Sequence, residues 1–262
     1  VSVSDLVLLS FFAGLAVALV TAPVGVSGAV FLLPIQISVL QIPSPAVTPT
    51  NLLFNIVAVP GALARYRSQA TLHSALTATM LIGTIPGVVF GACVRVFLIP
   101  GPDVFRLLVA GFLLPLGIWL FLGRRRLPRA PHVTPLGRNL TIAIAFTVGV
   151  IGGIYGIGGG SLLSPILVGY GAPVATVAPA TLVCTFVTSV AGAATYAILA
   201  LVTSGLQVAP HWTAGLLAGT GGLAGGYLGA RLQPRLPEAA LRATLGALAV
   251  VTAVLYVVDA LR

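Results

Sequence analysis

The chain has 262 residues, 58% of them hydrophobic and 6% charged, with a formal net charge of +9. Soluble domains carry about 25% charged residues, and a chain of this size cannot bury so many apolar segments in one aqueous core. The positive charge is all arginine, set between apolar runs with no interleaved basic–aromatic face, which excludes nucleic acid and leaves the lipid bilayer as the partner.

Ten apolar segments, most of them long enough to cross a bilayer, follow in order. In the first half they are 5–23, 26–42, 46–65, 71–93 and 103–123. The first holds Asp5 and no basic flank, the pattern of a membrane helix and not of a cleaved leader. Then comes the one strongly polar stretch, with Arg124, Arg125, Arg126, Arg129, His132 and Arg138 among Pro128, Pro131 and Pro135. Proline stops helices there and the charges oppose membrane entry. The second half runs 139–156, 159–171, 175–202, 210–230 and 238–260. The expected organisation is a first repeat over 1–123, a basic cytoplasmic linker over 124–138 and a second repeat over 139–262. The fold class is an all-α polytopic membrane protein with broken Gly/Pro helices.

The halves match in series. Gly25 to Pro34 has the spacing of Gly156 to Pro165, and Val47 to Leu52 corresponds to Val177 to Leu182. His73, Gly83, Gly87 and Gly91 correspond to His211, Gly221, Gly225 and Gly229. With the linker inside and every segment crossing, Arg95 and Arg106 are the only arginines between segments that fall on the outer side. The positive-inside rule then favours five crossings per half, inverted repeats and outward termini.

Three motifs bear on chemistry. The first is the glycine-led broken segment of each half: Gly25, Ser27 and Gly28, then Gly156, Gly158, Gly159, Gly160 and Ser161. Backbone opened at membrane depth needs partners in protein or a wet cavity, and a half-helix starting there points N–H groups at an anion. Close helix packing is the other use of such glycines; two motifs at equivalent positions favour the site. The second is a polar stripe of Thr48, Thr50, Asn51 and Asn55 opposite Thr181, Thr185, Thr188 and Ser189. These groups can donate to an oxyanion at less cost than a buried charge, or join helices to one another. The third, glycine every fourth residue from Gly83 and from Gly221, is a packing ridge. His73 and His211 begin apolar runs, where a solvated interfacial role and a proton-linked role both fit. Asp5, Asp103, Glu238 and Asp259 lie near segment ends, and Cys93 and Cys184 make neither a disulfide framework nor a metal spacing.

At the pattern G-x-G-G-G-x-x-x-x-P, Gly156 to Pro165, the sequence resembles the TauE/SafE sulfite exporter (TSUP) family. Gly25 to Pro34 is similar in degenerate form, with Ser27, Ala29 and Val30 in place of parts of the glycine run, and the Arg65-Tyr66-Arg67 loop sits where that family often has basic residues. The resemblance implies a multi-pass protein of the bacterial cytoplasmic (inner) membrane. It also implies export of small sulfur-containing anions such as sulfite or organosulfonates, with no cofactor and no metal. The expected mechanism is alternating access around a midplane site between the repeats. A passive anion channel and a non-transporting scaffold subunit are the rival readings. An enzyme is not expected, because no nucleophile–base pair, metal spacing or phosphate loop stands in the sequence.

Overall fold

A computed structural model of the protein describes residues 3–43, 46–68, 74–98, 137–169, 172, 174–203 and 208–237, with isolated positions within 111–118 and 240–258. Among the described residues the α-helices are α1 Val3–Thr21, α2 Ala29–Pro34, α3 Val47–Tyr66, α4 Ala75–Phe97, α5 Arg138–Tyr155, α6 Leu163–Gly169, α7 Val174–Val202 and α8 Trp212–Leu232. The stretches Leu6–Val24, Val47–Tyr66, Ala75–Phe97, Arg138–Tyr155 and Val174–Val202 are long and apolar enough to cross a bilayer. The expected last segment of each half and the linker's Arg124–Arg129 lie largely outside the described residues. His73, Asp103, Arg106, His132, Glu238, Arg242 and Asp259 lie outside them too.

Polarity is turned inside out. Phe12, Ile82, Phe90, Phe146, Ile198 and Leu201 are exposed, while Thr48, Asn51, Asn55, Thr181 and Thr185 are fully buried. Water would penalise that arrangement; lipid favours it, because apolar surface costs nothing there and polar groups must pair inside.

The expected segments 26–42 and 159–171 are not continuous helices. α2 has 6 residues and runs into a π-helical turn, Ile35–Val39, whereas α6 has 7. At about 1.5 Å per residue, neither reaches across a core of about 30 Å. The interruption has the same cause in both halves. α1 passes through a 3-10 turn, Ala22–Val24, and stops at Gly25 with φ 71°, and α5 stops at Gly156, also with φ 71°. An L side chain in that left-handed conformation costs roughly 1–2 kcal/mol, so glycine is the residue that ends a helix there.

The ridge glycines decide the packing. β-Carbons built on Gly83, Gly87 and Gly91 of α4 would lie 2.4, 2.4 and 2.1 Å from the carbonyl oxygens of Ile142, Phe146 and Val150 in α5. On Gly221, Gly225 and Gly229 of α8 they would lie 2.0, 2.1 and 2.4 Å from those of Phe11, Leu15 and Leu19 in α1. Backbone meets backbone, and the register is the same in both pairs. Residue numbers rise together, so α1 runs parallel to α8 and α4 parallel to α5. α3 also lies parallel to α8, with Gly61 against Leu223 and Gly219 against Val57. α7 lies parallel to α4, with Cys184 near Thr77 and Gly192 against Val88. Two bundles result, α1–α3–α8 and α4–α5–α7, each drawing helices from both halves. They meet along α3 and α7, where Leu52 touches Gly192 and Leu182 lines one cavity with Ala58 and Ala62.

Two buried tyrosines tie the helix ends at equivalent places. Tyr66 donates its hydroxyl to Ala22 O at 3.3 Å, and Tyr196 donates to Gly153 O at 2.9 Å. Phenylalanine at position 196 takes away the side-chain donor to Gly153 O, whereas Ala22 O still accepts from Gly25 N at 3.1 Å when Tyr66 is replaced. We expect Tyr196→Phe to lower stability by roughly 1–2 kcal/mol, read as a lower melting temperature in detergent. An unchanged melting temperature would show that the carbonyl finds another donor.

Arg95 is not an exposed flanking charge. α4 continues to Phe97, and Arg95 is fully buried with Nε 3.4 Å from Thr48 Oγ1. A segment ending at residue 93 leaves Arg95 as a flanking charge, but the helix runs four residues further, to Phe97, and carries the Arg95 side chain inward.

Candidate functional site

The two broken segments are buried along their length: every residue from Thr21 to Leu33 and from Tyr155 to Ser164 is inaccessible. Unwound backbone at that depth must be satisfied by protein, and each segment satisfies the other. Ser27 N donates to Ser161 Oγ at 3.2 Å, and Ser164 Oγ donates to Val24 O. Ser161 Oγ itself bonds Ile157 O at 2.7 Å and lies 3.3 Å from Thr185 Oγ1.

The long helices supply the rest of the wall. Asn51 and Asn55 are one turn apart on α3 and face the break after α5. Asn51 Nδ2 donates to Tyr155 O at 3.4 Å and Asn55 Nδ2 to Gly156 O at 3.3 Å. Asn55 Oδ1 accepts from the Ser27 hydroxyl, which also accepts from Ala29 N at 3.0 Å. At the place on α7 equivalent to Asn51, Thr181 Oγ1 donates to Gly25 O at 3.0 Å. Thr188 Oγ1 accepts from Gly159 N at 2.8 Å. Gly160 lets the second segment lie against α7, because a β-carbon there would stand 2.0 Å from Thr181 O. Gly158 (φ 72°) fits beside Thr185 and Ser189, and Gly28 lies against Val17 and Phe54.

The fold therefore gathers Gly25, Ser27, Gly28, Asn51, Asn55, Gly156, Gly158, Gly159, Gly160, Ser161, Thr181 and Thr185 around the two breaks. Thr50 is placed elsewhere. Its hydroxyl accepts from His211 N at 2.8 Å, at the start of α8, while bonding Ala46 O. His211 is exposed, and its Nδ1 accepts from Ala214 N at 3.3 Å as a helix cap. Two further residues belong to the cluster. Ser164 carried a signal, a hydroxyl one position before Pro165 in the glycine motif. Arg95 carried none, because its burial depends on packing.

Ser27, Gly28, Asn55, Thr21 and Leu182 line a cavity of about 20 Å³, room for a water molecule and too small for a sulfur oxyanion.

Comparison with known families matches residues 10–256 to the family described as sulfite exporter TauE/SafE. The chain belongs to that family. It is accordingly a membrane transporter and a multi-pass integral membrane protein. Neither the comparison with curated proteins nor that with solved structures finds a significant match. Within this family member, the segment from Gly156 to Pro165 is one of the two breaks just described.

Proposed function

We propose that this protein carries small sulfur-containing anions, such as sulfite or organosulfonates, out across a bacterial cytoplasmic membrane by alternating access around the two breaks. The direct hydrogen bond between the broken segments, Ser27 N to Ser161 Oγ, is the observation that carries the reading. Backbone amides of Ser27, Ala29 and Gly159 now donate to hydroxyl oxygens of Ser161, Ser27 and Thr188. When the cluster opens, an anion oxygen takes the place of those hydroxyl oxygens, and the freed hydroxyls turn to donate to it. Asn55 and Thr185 add uncharged donors. Arg95, buried one helical turn from Asn51 through Thr48, biases the region toward negative charge.

We also read the halves as inverted repeats, over 1–123 and 139–262, on the same footing. α1 and α3 both run parallel to α8, so the chain between them has to turn back before α3 begins, and Ser27 already lies level with Asn55 in the middle of α3. The same reasoning applies to α5 and α7 beside α4. Equivalent helices α3 and α7 then run in opposite senses. Because each bundle mixes both halves, the moving bodies are α1–α3–α8 and α4–α5–α7, hinged along α3 and α7, and not one repeat rocking against the other. An inside-negative potential favours anion exit by about 2.3 kcal/mol per charge at 100 mV.

Uptake of radiolabelled sulfite into proteoliposomes tests the reading. Saturable flux is expected, linear flux would indicate a channel, and no flux with any sulfur anion would leave a non-transporting role. Asn55→Leu removes the acceptor for Ser27 and the donor to Gly156 O. It should cut saturable flux at least about tenfold while the protein stays monodisperse, the lost buried hydrogen bonds costing roughly 1–3 kcal/mol. Wild-type flux in that variant would take Asn55 out of the site.

A further inference from the structure

Asn51 and Asn55 do the same thing with their amide nitrogens and different things with their oxygens. Both donate to consecutive carbonyls, Tyr155 O and Gly156 O. The NH2 end of Asn51 must face Tyr155 O, since its oxygen there would oppose another acceptor. Asn55 Oδ1 then receives the Ser27 hydroxyl, whereas Asn51 Oδ1, fully buried, receives no donor. Ser189 Oγ is also buried without a partner, beside Gly158, where a β-carbon would stand 2.9 Å from it. Gly156, against Asn51, and Gly158, against Ser189, lie two positions apart on one loop. The site thus holds one unanswered acceptor and one hydroxyl free to donate.

A purely accepting anion bound at this loop could take the Ser189 hydroxyl but would offer Asn51 Oδ1 only another lone pair. Resting on the sulfur-anion reading above, we infer that the site selects an anion carrying its own hydrogen-bond donor, which is placed on Asn51 Oδ1. Hydrogen sulfite is the smallest such anion, and a hydroxysulfonate is a larger one. The second half does not repeat the device, because Thr181 at the equivalent position has no amide oxygen, and its hydroxyl lies within bonding distance of Gly25 O and Val177 O. The preference therefore belongs to the side of the site formed by α3 and the break after α5.

A matched pair of probes isolates the donor. 2-Hydroxyethanesulfonate and ethanesulfonate have the same charge and chain and differ by one hydroxyl. As competitors of sulfite flux in proteoliposomes, the hydroxyl compound should be at least about tenfold more potent on wild type. That is about 1.4 kcal/mol. In Asn51→Leu the two should come within about twofold. Equal potency on wild type overturns the inference, and so does a margin that survives in Asn51→Leu; a water molecule filling the same place predicts the first of these. If Asn51→Leu is not recovered folded, the wild-type comparison alone decides. Saturable sulfite flux with equal potencies sinks this inference and leaves the carrier reading standing. If no sulfite flux occurs, the carrier reading falls, and the pair is compared by the melting-temperature shift each gives in detergent. A larger shift with the hydroxyl compound supports the inference there, and equal shifts overturn it.

Discussion

Alanine at Gly156 is expected to abolish transport and to destabilise the protein by roughly 2–5 kcal/mol, from two separate costs. The backbone there has φ 71°, where an L side chain is strained whatever the surrounding space. The added carbon would also stand 2.2 Å from Thr48 O and 3.0 Å from Asn51 Cβ. A carbonyl inside α3 cannot swing aside as a side-chain tip can, so α3 must retreat or the break must unwind further. Either movement pulls Asn51 and Asn55 off the carbonyls they hold. Gly28→Ala is the control: its φ is −64°, and the nearest atom is a Val17 methyl at 2.9 Å. That variant should lose about 1 kcal/mol or less. Thermal unfolding in detergent with sulfite flux on the same preparations reads both. Similar melting temperatures for the two variants would mean that the left-handed turn at Gly156 is not held in the folded protein.

The second large effect lies away from the site. Gly91→Ala and Gly225→Ala should each cost roughly 1–3 kcal/mol, by the same route in different bundles. Each new carbon would lie 2.1 Å from a main-chain oxygen, Val150 O for Gly91 and Leu15 O for Gly225. The helices can relieve this only by moving apart along their whole contact, and in lipid no hydrophobic gain draws them back together. Because the two contacts lie in separate bundles, the double variant should lose about the sum. The measurement is again the melting temperature, with the apparent affinity for sulfite read on whatever protein remains folded. Stability should fall and affinity should hold, since neither glycine touches the two breaks. A neutral outcome at both positions would remove the close helix pairs on which the two-bundle description stands.

Particular residues show how far reading along the chain could go. Gly25 and Gly156 were legible as helix breaks because local backbone preference, not a distant partner, ends the helix there. Asn51 with Asn55 and Thr181 with Thr185 were legible as pairs on one face, because a spacing of four is a property of the helix itself. Thr50 stood in the same polar stripe, yet its hydroxyl meets the amide of His211 at the start of α8. The segments 26–42 and 159–171 had the hydropathy of crossings, but their glycine and proline content shortened the helices within them to α2 and α6.

From sequence alone come the membrane environment and the two interruptions, because hydropathy, segment length and backbone freedom are local quantities that a bilayer reads one stretch at a time. Tertiary structure alone decided that α1 packs on α8 and α4 on α5, so that each bundle borrows from both halves. It alone buried Arg95 beside Thr48, brought Ser27 to Ser161 and left Asn51 Oδ1 without a donor. Those outcomes depend on which surfaces fit at backbone distance between residues far apart in the chain, and residue type by itself does not carry that information.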